Sequence, residues 1–351
     1  MKIFSKNPFL IADIGFIFFD IAEREGISDI DAAKLMVDEA KSCGVDAVMF
    51  QSYKSENVFS TNVPNYWESS GEPIDSQFEL FKKFDRFGVD EFRKLSDYCE
   101  DVGILFMSTP YDFEAADYLD EFMSVFKISS SDLTNIPFIK YVAGKNKPIL
   151  LSTGASTLKE IKDAVKAIED VSTVDIAIMH CVLSHPTAFE DANLSMIKDL
   201  SSNFPDYEIG YSDHTISDEN MVVLTTAYNY GANIIEKHFT LDKSLPGYDH
   251  SYSMDSNDVG KFKSNINFLS KISGYKHKQP LICESSTRKE SRRSIVAKND
   301  IERGNVILQS DITFKRPGTG ISPADVDDVV GKVANVDIPK DAIIDYEMLN
   351  S

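Results

Sequence analysis

Eight short apolar segments with strand character recur at residues 9–14, 47–51, 104–108, 124–129, 148–152, 175–181, 207–211 and 232–237, and helical patterns separate them. After Ser152, Thr157 and Glu160 form a capping-box pattern, and Ile161, Val165 and Ile168 follow at helical spacing. Residues 32–43 behave likewise, with Leu35, Met36 and Ala40 predicted inward and Lys34, Asp38 and Lys41 outward. Ser217 is predicted to cap a helix carrying Val222, Leu224, Thr225 and Ala227. Strand–helix alternation makes neighbouring strands parallel, and eight such units close a (β/α)8 barrel. An open doubly wound sheet is the alternative. It usually has a glycine-rich first turn, whereas this one reads Gly15-Phe16-Ile17-Phe18-Phe19 and cannot cradle a pyrophosphate.

The chain has 351 residues, enough for a barrel of about 250 residues with a small second domain. The pattern changes near residue 275. The predicted division is therefore a barrel at 1–275, a linker at 276–290 and a small β-rich domain at 291–351. Within the last part, Ala297-Lys-Asn-Asp300-Ile301-Glu-Arg303-Gly-Asn-Val306-Ile307 matches Ala334-Asn-Val-Asp337-Ile338-Pro-Lys340-Asp-Ala-Ile343-Ile344 at an offset of 37. A repeated half-unit predicts internal pseudo-symmetry. Between the halves, Lys315-Arg316-Pro317-Gly318-Thr319-Gly320 reads as a turn that presents a guanidinium.

A net charge of −20 argues against nucleic acid as a partner, because neutralising a phosphate backbone requires clustered Lys and Arg. The cysteines Cys43, Cys99, Cys181 and Cys283 are far apart and form no C-x-x-C pair, so neither a zinc ribbon nor a disulfide framework is expected. No apolar run approaches the ~20 residues of a membrane span, and the expected setting is a reducing cytoplasm.

Residues at the C-terminal ends of barrel strands converge on one opening. Here they include Asp13, Gln51, Ser108, Thr109, Lys127, Ser130, Asp132, Ser152, Thr153, His180, Ser212, Asp213, His214, Glu236, Lys237 and His238. Strand-end hydroxyls with a lysine form a cradle for phosphate and carboxylate, although any one hydroxyl can serve as a helix cap alone. Lys127 lies in an apolar strand context and predicts anion binding, with a Schiff-base role as the alternative. His214 and His238 are 24 residues apart, one strand-helix-strand step, and each has a carboxylate within two residues in sequence, Asp213 or Glu236. The pair predicts a divalent metal or acid–base work. The insertion at 54–88, with Tyr66, Trp67 and a helical run at 77–84, is expected to shape the opening.

Several runs resemble the sialic acid synthases and their legionaminic and pseudaminic acid relatives. These are Lys127-Ile128-Ser-Ser130-Ser-Asp132, Leu151-Ser152-Thr153-Gly154, Gly210-Tyr211-Ser212-Asp213-His214-Thr215, Glu236-Lys237-His238-Phe239-Thr240 and Gly247-Tyr-Asp249-His250. The segment from Arg292 is similar to the antifreeze-like (SAF, β-clip) domain fused to those enzymes. The resemblance implies condensation of phosphoenolpyruvate with an open-chain N-acetylated hexosamine, giving a nonulosonic acid and phosphate. It implies Asp13, His214 and His238 as catalytic residues, with His214 and His238 holding Mn²⁺ or Mg²⁺. By the same resemblance, Thr109, Lys127, Ser130, Ser152 and Ser212 would hold phosphoenolpyruvate. Gln51, Asp132, His185, Asp249 and Arg316 would meet the sugar, Arg316 from the tail domain of the partner in a swapped homodimer.

The chain departs from that family at several positions. Asp13 stands for a glutamate, Ile17 and Phe18 for Asn-His, and Met49 for a lysine, while Leu183 and His185 replace an Asn and a Tyr. A non-catalytic relative that keeps the fold is the reading these changes raise beside the enzyme.

Overall fold

The computed structural model describes residues 7–61, 63–64, 76–247 and 249–350. Tyr66 and Trp67 lie outside them. The chain divides into two compact units, Met1–Ile272 and Ser273–Ser351.

The first unit is a barrel of eight parallel strands: β1 (Phe9–Gly15), β2 (Ala47–Ser52), β3 (Leu105–Pro110), β4 (Phe126–Ile128), β5 (Ile149–Ser152), β6 (Ile176–Cys181), β7 (Glu208–Asp213) and β8 (Ile234–His238). The ladder runs β3-β2-β1-β8-β7-β6-β5-β4, and β4 lies against β3 to complete the ring. Strand periodicity then divides the side chains between two cores. Leu10, Ala12, Val48, Phe50, Ile178 and Ile235 pack outward under the helices. Ile11, Met49, Met107, Leu150, Met179 and Ile234 fill the interior.

The helix at Leu158–Glu169 begins as predicted. Thr157 Oγ1 accepts from Glu160 N at 3.3 Å, and Glu160 Oε2 accepts from Thr157 N at 2.7 Å. Two local expectations are corrected. In the helix Asp29–Cys43 the buried stripe is Ala33, Met36, Val37 and Ala40, at helical spacing, so Leu35 falls off it and is 46% exposed. Ser217 does not cap the helix Val222–Asn229, since its hydroxyl donates to Ser253 O at 3.0 Å. Asp218 takes that role, accepting from Val222 N at 2.7 Å and Val223 N at 3.0 Å.

Where the resemblance implied Asn-His, Ile17 and Phe18 are buried. Phe18 packs against Phe19, Phe50 and Phe87 with ring centres 4.1, 5.8 and 5.0 Å away. The first turn therefore belongs to the core.

In the second unit, β9 (Ser294–Ala297) pairs antiparallel with β10 (Ile312–Lys315). The 37-residue repeat appears as a local pseudo-dyad. Ile301 and Ile338 exchange backbone hydrogen bonds of 2.9 and 2.8 Å. Ala297 N donates to Ala342 O, and the equivalent Ala334 N donates to Asn305 O, both at 2.9 Å. Asp300 accepts from Lys340 N at 2.8 Å, and its equivalent Asp337 accepts from Arg303 N at 2.7 Å.

Two stability outcomes follow from this packing. A Cβ on Gly210 would lie 2.2 Å from Met179 Sδ and 2.8 Å from the backbone oxygen of Ile234, which cannot swing aside. Gly210→Ala is expected to lower stability by about 1–3 kcal/mol in denaturant unfolding; an unchanged midpoint would show that the interior has slack there. In the second unit, Asp300→Ala and Asp337→Ala should each cost about 1 kcal/mol, because each removes one equivalent hydrogen bond. A large cost for one with none for the other would contradict the pseudo-dyad.

Candidate active site

Two residues beyond Ile11, Met107, Val125, Leu150, Gly210 and Ile234, the same inward face carries Asp13, Thr109, Lys127, Ser152, Ser212 and Glu236. The apolar interior thus ends in a polar layer at the C-terminal mouth, with His238 one step further along β8.

Lys127 anchors this layer. Its Nζ donates to both Glu236 oxygens at 2.5 Å, and Ser212 Oγ donates to Glu236 Oε1 at 2.7 Å. Burial opposes ionisation of Glu236, but the Lys127 ammonium and the Ser212 hydroxyl outweigh it and hold the carboxyl below its usual range. Lys127 therefore serves as a paired cation, and an amine nucleophile would first have to shed Glu236.

Asp13 lies beside this pair. Gly15 N donates to Asp13 Oδ1 at 2.9 Å, while Oδ2 faces His238 Nδ1 at 3.7 Å. Burial pushes the Asp13 carboxyl up to about 6, against the lowering influence of His238. Asp249 Oδ2 lies 4.0 Å from the same His238 nitrogen, and Asp249 also accepts from the Tyr252 hydroxyl.

The carboxylates that neighbour the histidines in sequence have their hydrogen bonds elsewhere. Asp213 points to the outer layer, where it accepts from Lys237 Nζ at 2.7 Å, Tyr211 Oη at 2.8 Å and Thr215 N at 2.9 Å. Lys237 also donates to Thr215 O at 2.5 Å, fastening the turn that carries His214. Glu236 is committed to Lys127. The carboxylates that face His238 are Asp13 and Asp249.

Nitrogen atoms of His185, His214 and His238 lie within 4.8 Å of one another, a fit for a divalent metal. His214 Nδ1 is 2.9 Å from Val182 O. A carbonyl can only accept, so Nδ1 carries the proton and Nε2 is left for a ligand. Burial disfavours charge on both His214 and Cys181, yet their 3.7 Å approach lowers the thiol and raises the imidazole. His185 retains solvent contact, and desolvation together with the other two rings pushes its imidazole down. His180 is a satisfied core histidine, with Nε2 2.9 Å from Ala192 O.

The remaining sequence-predicted residues occupy varied settings. Ser152 Oγ is buried without a hydrogen-bond partner among the described residues. Ser130 Oγ accepts from Gly154 N at 2.9 Å, which steadies the turn after β5. Thr109 Oγ1 donates to Met49 Sδ at 3.6 Å. Gln51 approaches the turn at Gly15 beside Asp13. Asp132 accepts from Asn135 Nδ2 at 3.2 Å and is raised by burial. Arg316 is exposed on the second unit. Tyr252 and Tyr111 were not anticipated. Tyr252 packs edge-on to His238 at 5.5 Å, and Tyr111 is tied to Ser129 near Asp13 and Asp132. Nothing in the sequence distinguishes either from a core tyrosine.

Comparison with known proteins places the chain in a family. Residues 36–278 match the NeuB family and residues 292–350 match the SAF domain. An uncharacterized protein of Methanocaldococcus jannaschii is 40% identical over 92% of this chain and 90% of its own length. The N,N'-diacetyllegionaminic acid synthase of Legionella pneumophila is 33% identical over 99% of this chain and 96% of its own. The crystal structure of the N-acetylneuraminic acid (sialic acid) synthetase of Leptospira borgpetersenii superimposes with a TM-score of 0.69 at 30% identity, over 80% of this chain and 90% of that one. The chain belongs to the NeuB family and carries a C-terminal SAF domain. No helix among the described residues is long and apolar enough to cross a membrane.

The outer ion pair supports the His214 turn without touching the interior. Lys237→Met, which leaves Asp213 buried without its cation, should cost about 3–5 kcal/mol. The double variant Asp213→Leu/Lys237→Met should regain much of that loss. Equal stabilities for the wild type and Lys237→Met would show the pair to be idle.

Proposed function

We propose that the chain condenses phosphoenolpyruvate with an N-acetylated hexosamine in its open-chain aldehyde form, giving a nonulosonic acid and phosphate. The observation that carries this reading is the polar layer itself, where a buried cation, hydroxyls with spare capacity and an imidazole cluster share one barrel mouth. Its relatives that are named synthases support the same class of chemistry.

Lys127, with a third ammonium proton beyond its two bonds to Glu236, would meet the anionic substrate together with Thr109, Ser130, Ser152 and Ser212. The buried Ser152 hydroxyl gains the partner it lacks when an oxygen of that substrate arrives. Gln51, Asp132 and Asp249 would orient the sugar. Arg316 would reach its N-acyl region from the tail domain of a second copy, in a swapped homodimer. His214 and His238 would hold a divalent ion such as Mn²⁺ or Mg²⁺, which when bound polarises an aldehyde oxygen. Asp13, raised toward neutrality by burial, is suited to hold or release a proton beside that aldehyde. Carbon C3 of phosphoenolpyruvate attacks the aldehyde carbon, water adds at C2, and phosphate leaves. The unpaired thiols Cys43, Cys99, Cys181 and Cys283 suit a reducing cytoplasm.

A second reading rests on Met49. It is buried among Ile11, Met107 and Met179, so the cation that the resemblance implies there is replaced by an apolar side chain. A non-catalytic member that binds sugar or metal fits that change.

The test is phosphate release from phosphoenolpyruvate with Mn²⁺, across N-acetylmannosamine, its 6-phosphate and the 2,4-diacetamido-6-deoxyhexoses, with EDTA as control. Release with at least one sugar, abolished by EDTA and by Lys127→Met, is the expected outcome. Silence with every sugar, beside an active Met49→Lys variant, would favour the non-catalytic reading.

A further inference from the structure

We infer that His185 is a third protein ligand of the metal site, making it a three-imidazole centre that holds a transition-metal ion before any substrate arrives. The inference deepens the metal assignment proposed above and rests on it. It also gives His185 a different task from the sugar contact that the resemblance implied.

Three observations carry it. The nitrogens of His185, His214 and His238 are mutually within 4.8 Å. An ion at their centre would lie within about 2.8 Å of each, and ring shifts of under about 1 Å bring the separations to the usual 2.0–2.1 Å. The His185 ring centre is 4.0 Å from that of His214, and the His214 and His238 centres are 5.7 Å apart, with no hydrogen bond joining any two of the three. Three imidazoles this close repel one another when charged; a shared cation turns the arrangement into an attraction. Finally, the buried His238 Nδ1 makes no hydrogen bond but faces the Asp13 and Asp249 carboxylates at 3.7 and 4.0 Å, the outer-shell setting common to metal-bound imidazoles.

The surroundings fit a built centre. Val182 O fixes the His214 tautomer at 2.9 Å, and the Asp13 and Asp249 carboxylates face His238 at 3.7 and 4.0 Å. His185 occupies the loop after β6, at the position where the resemblance implied a tyrosine.

The consequence is one of selectivity. Three neutral nitrogens suit Zn²⁺, Co²⁺ or Fe²⁺ better than Mg²⁺, which prefers oxygen. Further coordination positions stay open for substrate oxygens.

The experiment uses the full chain, stripped with a chelator and folded by circular dichroism. Zn²⁺ affinity is measured by competition with a chromophoric chelator, and Co²⁺ binding by its visible absorption, in the wild type, His185→Ala, His185→Gln, His214→Ala and His238→Ala. His185→Ala and His185→Gln are expected to weaken Zn²⁺ by about tenfold or more and to change the Co²⁺ spectrum. Millimolar Mg²⁺ should not displace Zn²⁺ from the wild type. Affinity within about twofold of the wild type and an unchanged spectrum in both His185 variants, beside loss of binding in His214→Ala and His238→Ala, would overturn the third ligand and leave the two-histidine site standing. Unchanged binding in all four variants would remove the metal assignment itself.

Discussion

Closing eight strands into a ring leaves an interior only wide enough for side chains, so every second residue of every strand must fit there. Ile11, Met49, Met107, Leu150, Met179 and Ile234 meet that demand with apolar bulk, and Gly210 meets it by leaving room for Met179. Where the strands emerge, the same alternation delivers Asp13, Thr109, Lys127, Ser152, Ser212 and Glu236 to one place. An apolar floor beneath them lowers the local dielectric, which strengthens each charge–charge contact above it. The site is thus a product of ring closure rather than of any single motif.

Two ion pairs show how strictly the alternation assigns roles. Glu236 and Lys237 are adjacent in the chain but face opposite sides of β8. Glu236 faces the interior and binds Lys127; Lys237 faces the helices and binds Asp213. One pair belongs to the mouth. The other holds the turn after β7, through Thr215, and so supports His214 from behind. A buried pair is expensive to desolvate and becomes more expensive when one member is lost, so these two act as fixed points around which the histidines are arranged.

The eight strands and the Thr157 cap were legible because they depend on local spacing, which the sequence carries directly. The repeat in the tail was legible for the same reason, and it corresponds residue by residue to the Ile301–Ile338 exchange. The site was legible only in part. Strand-end position placed Lys127, Ser152 and the two histidines at the mouth, but it did not show that Asp213 turns outward to Lys237, because consecutive strand residues point to opposite faces. Ser217 and Asp218 are both competent caps, and only the contact to Ser253 decides between them. Leu35 sits one position from the buried stripe, and the helical phase of Ala33, Met36, Val37 and Ala40 leaves it outside. The closeness of His185 to His214 depends on the path of the loop after β6, which no local pattern encodes.

The pseudo-dyad of the second unit also bears on how that unit can be made. Beside the β9–β10 ladder, several of its backbone bonds run between the two copies of the repeat: 301 with 338, 297 with 342, 334 with 305. At these positions neither copy is self-sufficient, since its amides and carbonyls would lose their partners without the other. Each copy thus completes the other's hydrogen bonding, and a change that displaces one copy exposes polar backbone in both.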